Sequence, residues 1–242
     1  MIAVDTWLAN LQAILWPATC VLCGGGAPNR SIDLCAGCEA DLPLNKVACV
    51  VCAEPLQGES AHALTCGACQ QHKPRFDVSF CPFRYAYPLD HLVRGIKYHR
   101  AVAHGRVLSE LLASSLPILR RDAPLPEILL PVPLAPRRYR ERGYNQAIEL
   151  ARHVVKGLRV PIRTDLVARS RETREQAALD QRERRKNIRG AFTMLGPLPA
   201  LHVAIIDDVV TTGSTVNELA RVLKRAGARR VEVWAIARAG RN

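Results

Sequence analysis

The stretch VAIIDDVVTTGSTV, residues 203–216, decides the fold. Val203 to Ile206 read as a buried strand that runs straight into two adjacent carboxylates, Asp207 and Asp208, at its carboxyl end. Thr211, Thr212, Gly213, Ser214 and Thr215 then lead into a helix with Val216, Leu219, Ala220, Leu223 and Ala226 on one face, stopped by Gly227. In open parallel sheets ligands sit at the carboxyl ends of strands. Unpaired N–H groups at the helix start, with about half a positive charge from its dipole, favour a phosphate there. The hydroxyls add donors, and Gly213 permits close approach. Asp207 and Asp208 are acceptors suited to a vicinal diol. Diol acceptors beside a monophosphate cradle describe a ribose 5-phosphate. The plainer alternative is a hydroxyl-capped helix after a strand with two turn acids. A Walker A loop is excluded, because G-x-x-x-x-G-K-S/T is absent.

Working outward, strands and helices alternate from Phe76 onward. FDVSFCPFRYAY (76–87) reads as extended, with Cys81 a buried core thiol. DHLVRGIKYHR (90–100) and VAHGRVLSELLASSL (102–116) read as helices. EILLPVPL (127–134) is a buried strand that ends at prolines, and YNQAIELARHVVKGL (144–158) is a helix. VPIRTDLVARS (160–170), AFTML (191–195) and RRVEVWAIARA (229–239) read as further strands. This alternation predicts an α/β domain over 76–242, a largely parallel sheet covered by helices.

Residues 1–75 are different. Eight of the nine cysteines form four C-x-x-C pairs: Cys20/Cys23, Cys35/Cys38, Cys49/Cys52 and Cys66/Cys69. Such a pair lets one tight turn supply two thiolates to one metal ion, and two turns complete a tetrahedral Cys₄ site. Disulfides suit an exported domain, and a redox C-x-x-C is expected once beside a βαβ unit. Four pairs therefore predict two structural zinc ions. A sequential grouping, 20/23/35/38 and 49/52/66/69, is the simplest, with an interleaved one still open. The seven histidines make no metal-spaced set with acids.

Net charge is +12, from 34 basic and 22 acidic residues, which suits an anionic small molecule or a nucleic acid. No apolar run approaches the roughly 20 residues of a membrane span. MIAVDTWLANLQAILW (1–16) lacks a basic start and reads as an amphipathic helix rather than a targeting segment, consistent with a cytoplasmic protein. Two segments concentrate positive charge. PRRYRERGYNQ (136–146) sets Arg137, Arg138, Arg140 and Arg142 after a strand end, where guanidiniums could grip a diphosphate. Interleaved Tyr139 and Tyr144 also suit single-stranded DNA, with Asn145 and Gln146 holding the loop. Residues 169–189 carry eight basic side chains. Lys97 and Tyr98 are placed either near the same cleft or at the edge of the core.

The 207–215 stretch resembles the phosphoribosyl-pyrophosphate motif of type I phosphoribosyltransferases. The four C-x-x-C pairs, DHLVRGIKYH, PVPLAPRRYRERGYNQAIELA, RETREQAALDQRERRKNIRGAF and DDVVTTGST follow one another in an order that resembles the ComF/GntX-type family (competence protein F, ComFC-like). The likeness runs from about residue 17 to 238. It implies a double zinc ribbon joined to a type I phosphoribosyltransferase fold, and a link to natural transformation and DNA uptake. It further implies Asp207 and Asp208 on the ribose and Thr211–Thr215 on the 5-phosphate. The 136–146 segment would serve the pyrophosphate, 169–189 would be a lid, and magnesium would accompany bound phosphoribosyl pyrophosphate. Purine-salvage relatives often carry an aspartate where Thr211 stands, which weakens a purine-transferase reading and leaves no general base in the motif. The resulting expectation is a phosphoribosyl-pyrophosphate-binding protein that handles single-stranded DNA alongside competence or DNA-uptake proteins, with catalysis open. A metabolic transferase with a small nitrogenous acceptor and a non-catalytic sensor are the alternatives.

Overall fold

A computed structural model describes residues 18–27, 32–58, 64–98, 101–121, 123–171 and 188–240. The expected helix over 1–16 and most of the charged 169–189 segment lie outside them.

Two long strands form the centre, β6 (His202–Val210) and β7 (Arg230–Arg238), paired in parallel from His202↔Arg230 to Val210↔Arg238. β3 (Ile128–Pro131) pairs in parallel with the far edge of β6. β1 (Val78–Phe80) and β2 (Phe83–Arg84) share the far edge of β7, also in parallel. The order is β1-β7-β6-β3, with β2 beside β7. β4 (Val167–Arg169) and β5 (Phe192–Met194) form a separate antiparallel pair.

Side chains alternate across the sheet, as the period of a strand requires. Val203, Ile205, Val231 and Val233 face one core; Ala204, Ile206, Trp234 and Ile236 face the other. The first core is closed by α7 (Ser214–Arg225), which lays down Val216, Leu219, Ala220 and Leu223. α3 (Leu89–Tyr98), α4 (Val102–Arg120) and α6 (Gln146–Leu158) close the second. Each fully buried Leu, Ile or Val contributes about 1.5–3 kcal/mol. Cys81 is buried, as expected of a core thiol.

The cysteine-rich region contributes short helices α1 (Ala36–Ala40) and α2 (Gly67–Gln71), each starting after a cysteine. Its two halves cover opposite faces of the sheet. Cys20, Leu34 and Leu42 join the core under α3 and α4, whereas Cys49, Cys52, Ala53 and Cys66 join the core under α7.

At the amino ends of the central strands, fully buried Glu232 accepts from Arg120 Nε at 3.0 Å, Trp234 Nε1 at 2.9 Å and Arg230 Nε at 3.0 Å, and meets His202 Nε2 at 3.0 Å. Burial opposes its charge, but these partners outweigh burial and hold its pKa low. This knot fixes α4 to the sheet and leaves the opposite, carboxyl end for the site.

Three local expectations are corrected. VPIRTDLVARS is not one strand: Ile162 makes a single parallel bridge to Leu129, and the chain turns before β4. Pro161 offers no N–H, and Arg163 grips Asp165 with two bonds of 2.8 Å across the turn. The central strand does not stop at Ile206, because β7 continues far enough to keep pairing as far as Val210. Asp207 and Asp208 therefore lie within β6. The arginine segment, expected as a loop, is the helix α5 (Pro136–Arg142). Pro136 opens it, an Arg137–Glu141 pair of 2.7 Å spans one turn, and Gly143 closes it at φ 79°.

Candidate functional site

The site is built beyond the ends of β6 and β3, where α3, α5, α6 and α7 each contribute residues to one cleft. Past Ile206 the two acids serve their own backbone first: Asp207 Oδ1 accepts from the Asp208 N–H at 2.9 Å, and Asp208 Oδ1 from the Val209 N–H at 2.7 Å. The other oxygen of Asp208 meets Lys97 Nζ at 2.7 Å. Burial opposes ionisation of Asp208, but Lys97 and the Val209 N–H outweigh it and lower its pKa. Asp207 has the opposite fate. Burial, reinforced by the charge of Asp208, pushes its pKa up to about 8. The charge of the pair is thus favoured on Asp208 and the proton on Asp207.

The turn after β6 is ordered by its own hydroxyls. Thr212 Oγ1 lies 2.9 Å from Ser214 Oγ and accepts from the Ser214 N–H at 3.3 Å. Gly213 holds φ at 75°, a conformation that costs other residues steric strain. The chain then enters α7, whose first residues, Ser214 to Val216, share one cleft with the two acids, and a helix start of this kind receives phosphate oxygens.

Opposite lies a basic wall. A cavity of about 140 Å³ is bounded by Asp207, Asp208, Lys97, Arg138, Arg142 and Arg169, with Thr211, Gly213, Ser214 and Thr215 at its foot. Arg169 also stacks over Phe192, 5.7 Å from the ring centre. Burial, with Arg138 close by, lowers its pKa, so the site gains from an incoming anion.

The structure brings most of the expected residues together. Asp207, Asp208, Thr211, Gly213, Ser214, Thr215, Arg138, Arg142 and Asn145 all line the cleft. Arg137 and Arg140 lie on the exposed side of α5, outside this lining. Thr212 faces a second groove toward the cysteine-rich region. Asn145 is a scaffold: its Oδ1 accepts from Ala147 N at 3.0 Å, capping α6, while Nδ2 donates to the Val132 carbonyl at 3.0 Å. The Tyr144 hydroxyl donates to the Ile96 carbonyl, tying the connection between α5 and α6 to α3. Lys97 reaches the acid pair; Tyr98, 70% exposed, does not enter the cleft lining.

Sequence reasoning missed Glu54 and Arg238, a buried ion pair joining the cysteine-rich region to the end of β7. The available signal was a lone charge in an apolar run: Arg238 follows VWAIA in a strand otherwise buried on both faces.

The eight cysteine thiols gather into two groups, Cys20/Cys23/Cys35/Cys38 and Cys49/Cys52/Cys66/Cys69, each with its sulfurs within 4.8 Å of one another. The sequential grouping is the one found. Bonds of about 2.3 Å in a tetrahedron imply sulfur separations of about 3.8 Å. Cys23 and Cys35 lie 3.8 Å apart, Cys52 and Cys66 3.6 Å. The donor sets fit zinc, and each would supply four thiolates with no open position.

Comparison with known proteins finds two family models along the chain. Residues 11–89 match the double zinc ribbon domain, and residues 145–242 the phosphoribosyl transferase domain. Competence protein F of Haemophilus influenzae is 33% identical over 225 residues, covering 91% of this chain and 96% of that protein. The DNA utilization protein YhgH of Escherichia coli K12 is 34% identical over 225 residues, covering 92% and 97%. Among solved structures, a hypoxanthine-guanine phosphoribosyltransferase from Bacillus anthracis shares 12% identity over 54% of this chain and 68% of that one, at a TM-score of 0.34. That likeness is too slight to carry a functional reading. Two Cys₄ ribbons ahead of a phosphoribosyltransferase fold, with alignments that cover 91–92% of this chain and 96–97% of these relatives, place the chain in the competence protein F family.

Proposed function

We propose that the protein binds phosphoribosyl pyrophosphate and handles single-stranded DNA during its uptake or use. One observation carries the sugar-diphosphate reading: a diol-accepting acid pair, a hydroxyl-lined helix start and a wall of cations meet in one cleft. The α7 N-terminus with Thr211, Gly213, Ser214 and Thr215 would take the 5-phosphate, Asp207 and Asp208 the ribose hydroxyls. Arg138 and Arg142 would take the diphosphate. Magnesium, when bound with the ligand, supplies charge neutralisation of the diphosphate. The DNA part draws support from the names of the relatives and from Arg137, Tyr139 and Arg140, which are exposed on α5 beside the cleft. Among the described residues no helix is long and apolar enough to cross a membrane.

Calorimetry with phosphoribosyl pyrophosphate and magnesium tests the first part. Binding to the wild type and its loss in Asp207→Ala/Asp208→Ala is the expected result; equal affinity in both removes the role of the acids. Single-stranded DNA affinity that falls steeply with added salt is the expected result for the second part.

A further inference from the structure

Arg238, the last residue of β7, is 1% exposed, and its guanidinium is shared between two parts of the chain far apart in sequence. On one side Nε donates to the Cys52 carbonyl at 3.1 Å, and Nη2 pairs with the buried carboxylate of Glu54. On the other, Nη1 donates to the carbonyls of Val210, at 3.0 Å, and Thr211. Cys52 is one of the four thiols of the second ribbon. Val210 and Thr211 open the hydroxyl-rich turn. One side chain therefore touches the backbone of a metal-binding turn and the backbone of the phosphate-binding turn.

Apolar side chains could fill this volume without the cost of desolvating two charges. What they could not do is fix carbonyl oxygens on both sides at once, which needs the forked donors of a guanidinium. A second tie runs in the same direction: the Arg75 N–H donates to Asn217 Oδ1, in the first turn of α7, at 2.7 Å. The second ribbon also shares its core with Val210, Val216 and Leu219. Cys20 of the first ribbon packs into the opposite core, against α3 and α4.

We infer that the second ribbon is a working part of the sugar-phosphate site, and that Arg238 is the positioning residue that couples them. Zinc at Cys49/Cys52/Cys66/Cys69 fixes the Cys52 carbonyl, Arg238 transmits that position to Val210 and Thr211, and the turn is held ready for a phosphate. This rests on the sugar-diphosphate reading above. Linkage makes the effect reciprocal: a ligand that prefers the ordered turn must tighten the second ribbon's hold on its metal by the same factor.

The test uses the full-length, zinc-loaded protein with magnesium. A chromogenic zinc acceptor, 4-(2-pyridylazo)resorcinol, is added with N-ethylmaleimide, with or without saturating phosphoribosyl pyrophosphate. Peptide mass spectrometry follows labelling at each cysteine. The expected result is labelling of Cys49, Cys52, Cys66 and Cys69 slowed about fivefold or more by the sugar diphosphate, with Cys20, Cys23, Cys35 and Cys38 unaffected. Glu54→Gln and Arg238→Lys should lose that selective protection, and the wild-type measurement decides the coupling even if a variant fails to fold. Equal protection of both ribbons, or none in a protein shown by calorimetry to bind the ligand, overturns the coupling and leaves the proposed function standing. Undiminished protection in folded samples of both variants overturns the role of Arg238. No calorimetric binding at all overturns coupling and proposed function together.

Discussion

Lys97 Nζ lies 2.7 Å from Asp208 Oδ2, so α3 reaches across the cleft and holds the charged member of the acid pair. Their side chains are 21% and 12% exposed, a partly desolvated pair whose broken half is costly. Asp208 is held below its usual pKa, so its contribution to stability is present above about pH 4 and is lost as pH falls through the folded value. Lys97→Met should therefore destabilise the protein by about 2–3 kcal/mol near pH 7, with the gap closing in acid. Urea titrations across pH measure it. A constant gap would mean that the lysine acts through packing alone.

Asp207 titrates in the opposite sense. Its folded pKa, about 8, stands above the unfolded value, so the folded state holds a proton that the unfolded state has released. Stability from this group is greatest below about pH 4 and declines until about pH 8. Asp207→Asn should gain on the wild type through that window. If the ribose hydroxyls require a carboxylate, binding phosphoribosyl pyrophosphate must expel the proton. Calorimetry at about pH 7 in buffers of different ionisation enthalpy should report release of close to one proton, fading above about pH 9. A buffer-independent enthalpy would show that Asp207 keeps its proton in the complex.

Much of this site was legible because its chemistry is local in sequence. The acids, Gly213 and the hydroxyls fall within nine residues, and the ribbon thiols come in pairs whose spacing is their own signal. The strand–helix alternation also came through, since each element carries its own apolar period. What stayed hidden depends on pairing across the fold. β6 runs through its acids because β7 continues alongside, a fact about Ala235–Arg238 rather than about 203–210. PRRYRERGYNQ looks like a loop until Pro136, the Arg137–Glu141 pair and Gly143 are read together as the start, side and end of one short helix. Arg238 and Glu54 are 184 residues apart, and no local pattern predicts that they meet.

The helical form of the arginine segment separates its four guanidiniums into two kinds. Arg138 and Arg142, one turn apart, line the cleft, whereas Arg137 and Arg140 are exposed away from it. Substitution of Arg138 or Arg142 by Ala should raise the Kd for phosphoribosyl pyrophosphate about tenfold or more, as loss of a charge-assisted hydrogen bond does. Arg137→Ala and Arg140→Ala should leave that Kd within about twofold. Their effect should appear in single-stranded DNA binding, each lowering the slope of affinity against salt by close to one contact. If all four weaken the sugar diphosphate equally, the cleft reads only net charge and the helix sets no direction.

The two ribbons should also part company when metal is withdrawn. In the first, only Cys20 is buried and Cys23 is exposed; in the second, Cys49, Cys52 and Cys66 are buried and Cys69 partly so. A chelator reaches the first more readily, so titration should remove one zinc per chain well before the other. Thiolate ligands must be deprotonated to bind, so both ions should be lost more easily as pH falls. Binding energies of about 10–16 kcal/mol per structural zinc rival the whole stability of a typical domain. Loss of the first ion should therefore unfold α1 and uncover Leu34 and Leu42 from the core beneath α3 and α4, while β6 and β7 remain paired. Hydrogen exchange after partial chelation reads this directly: amides of Ala36–Ala40 should lose protection first and those of Gly67–Gln71 later. Simultaneous loss at both helices would show that the ribbons form one cooperative unit despite covering opposite faces of the sheet.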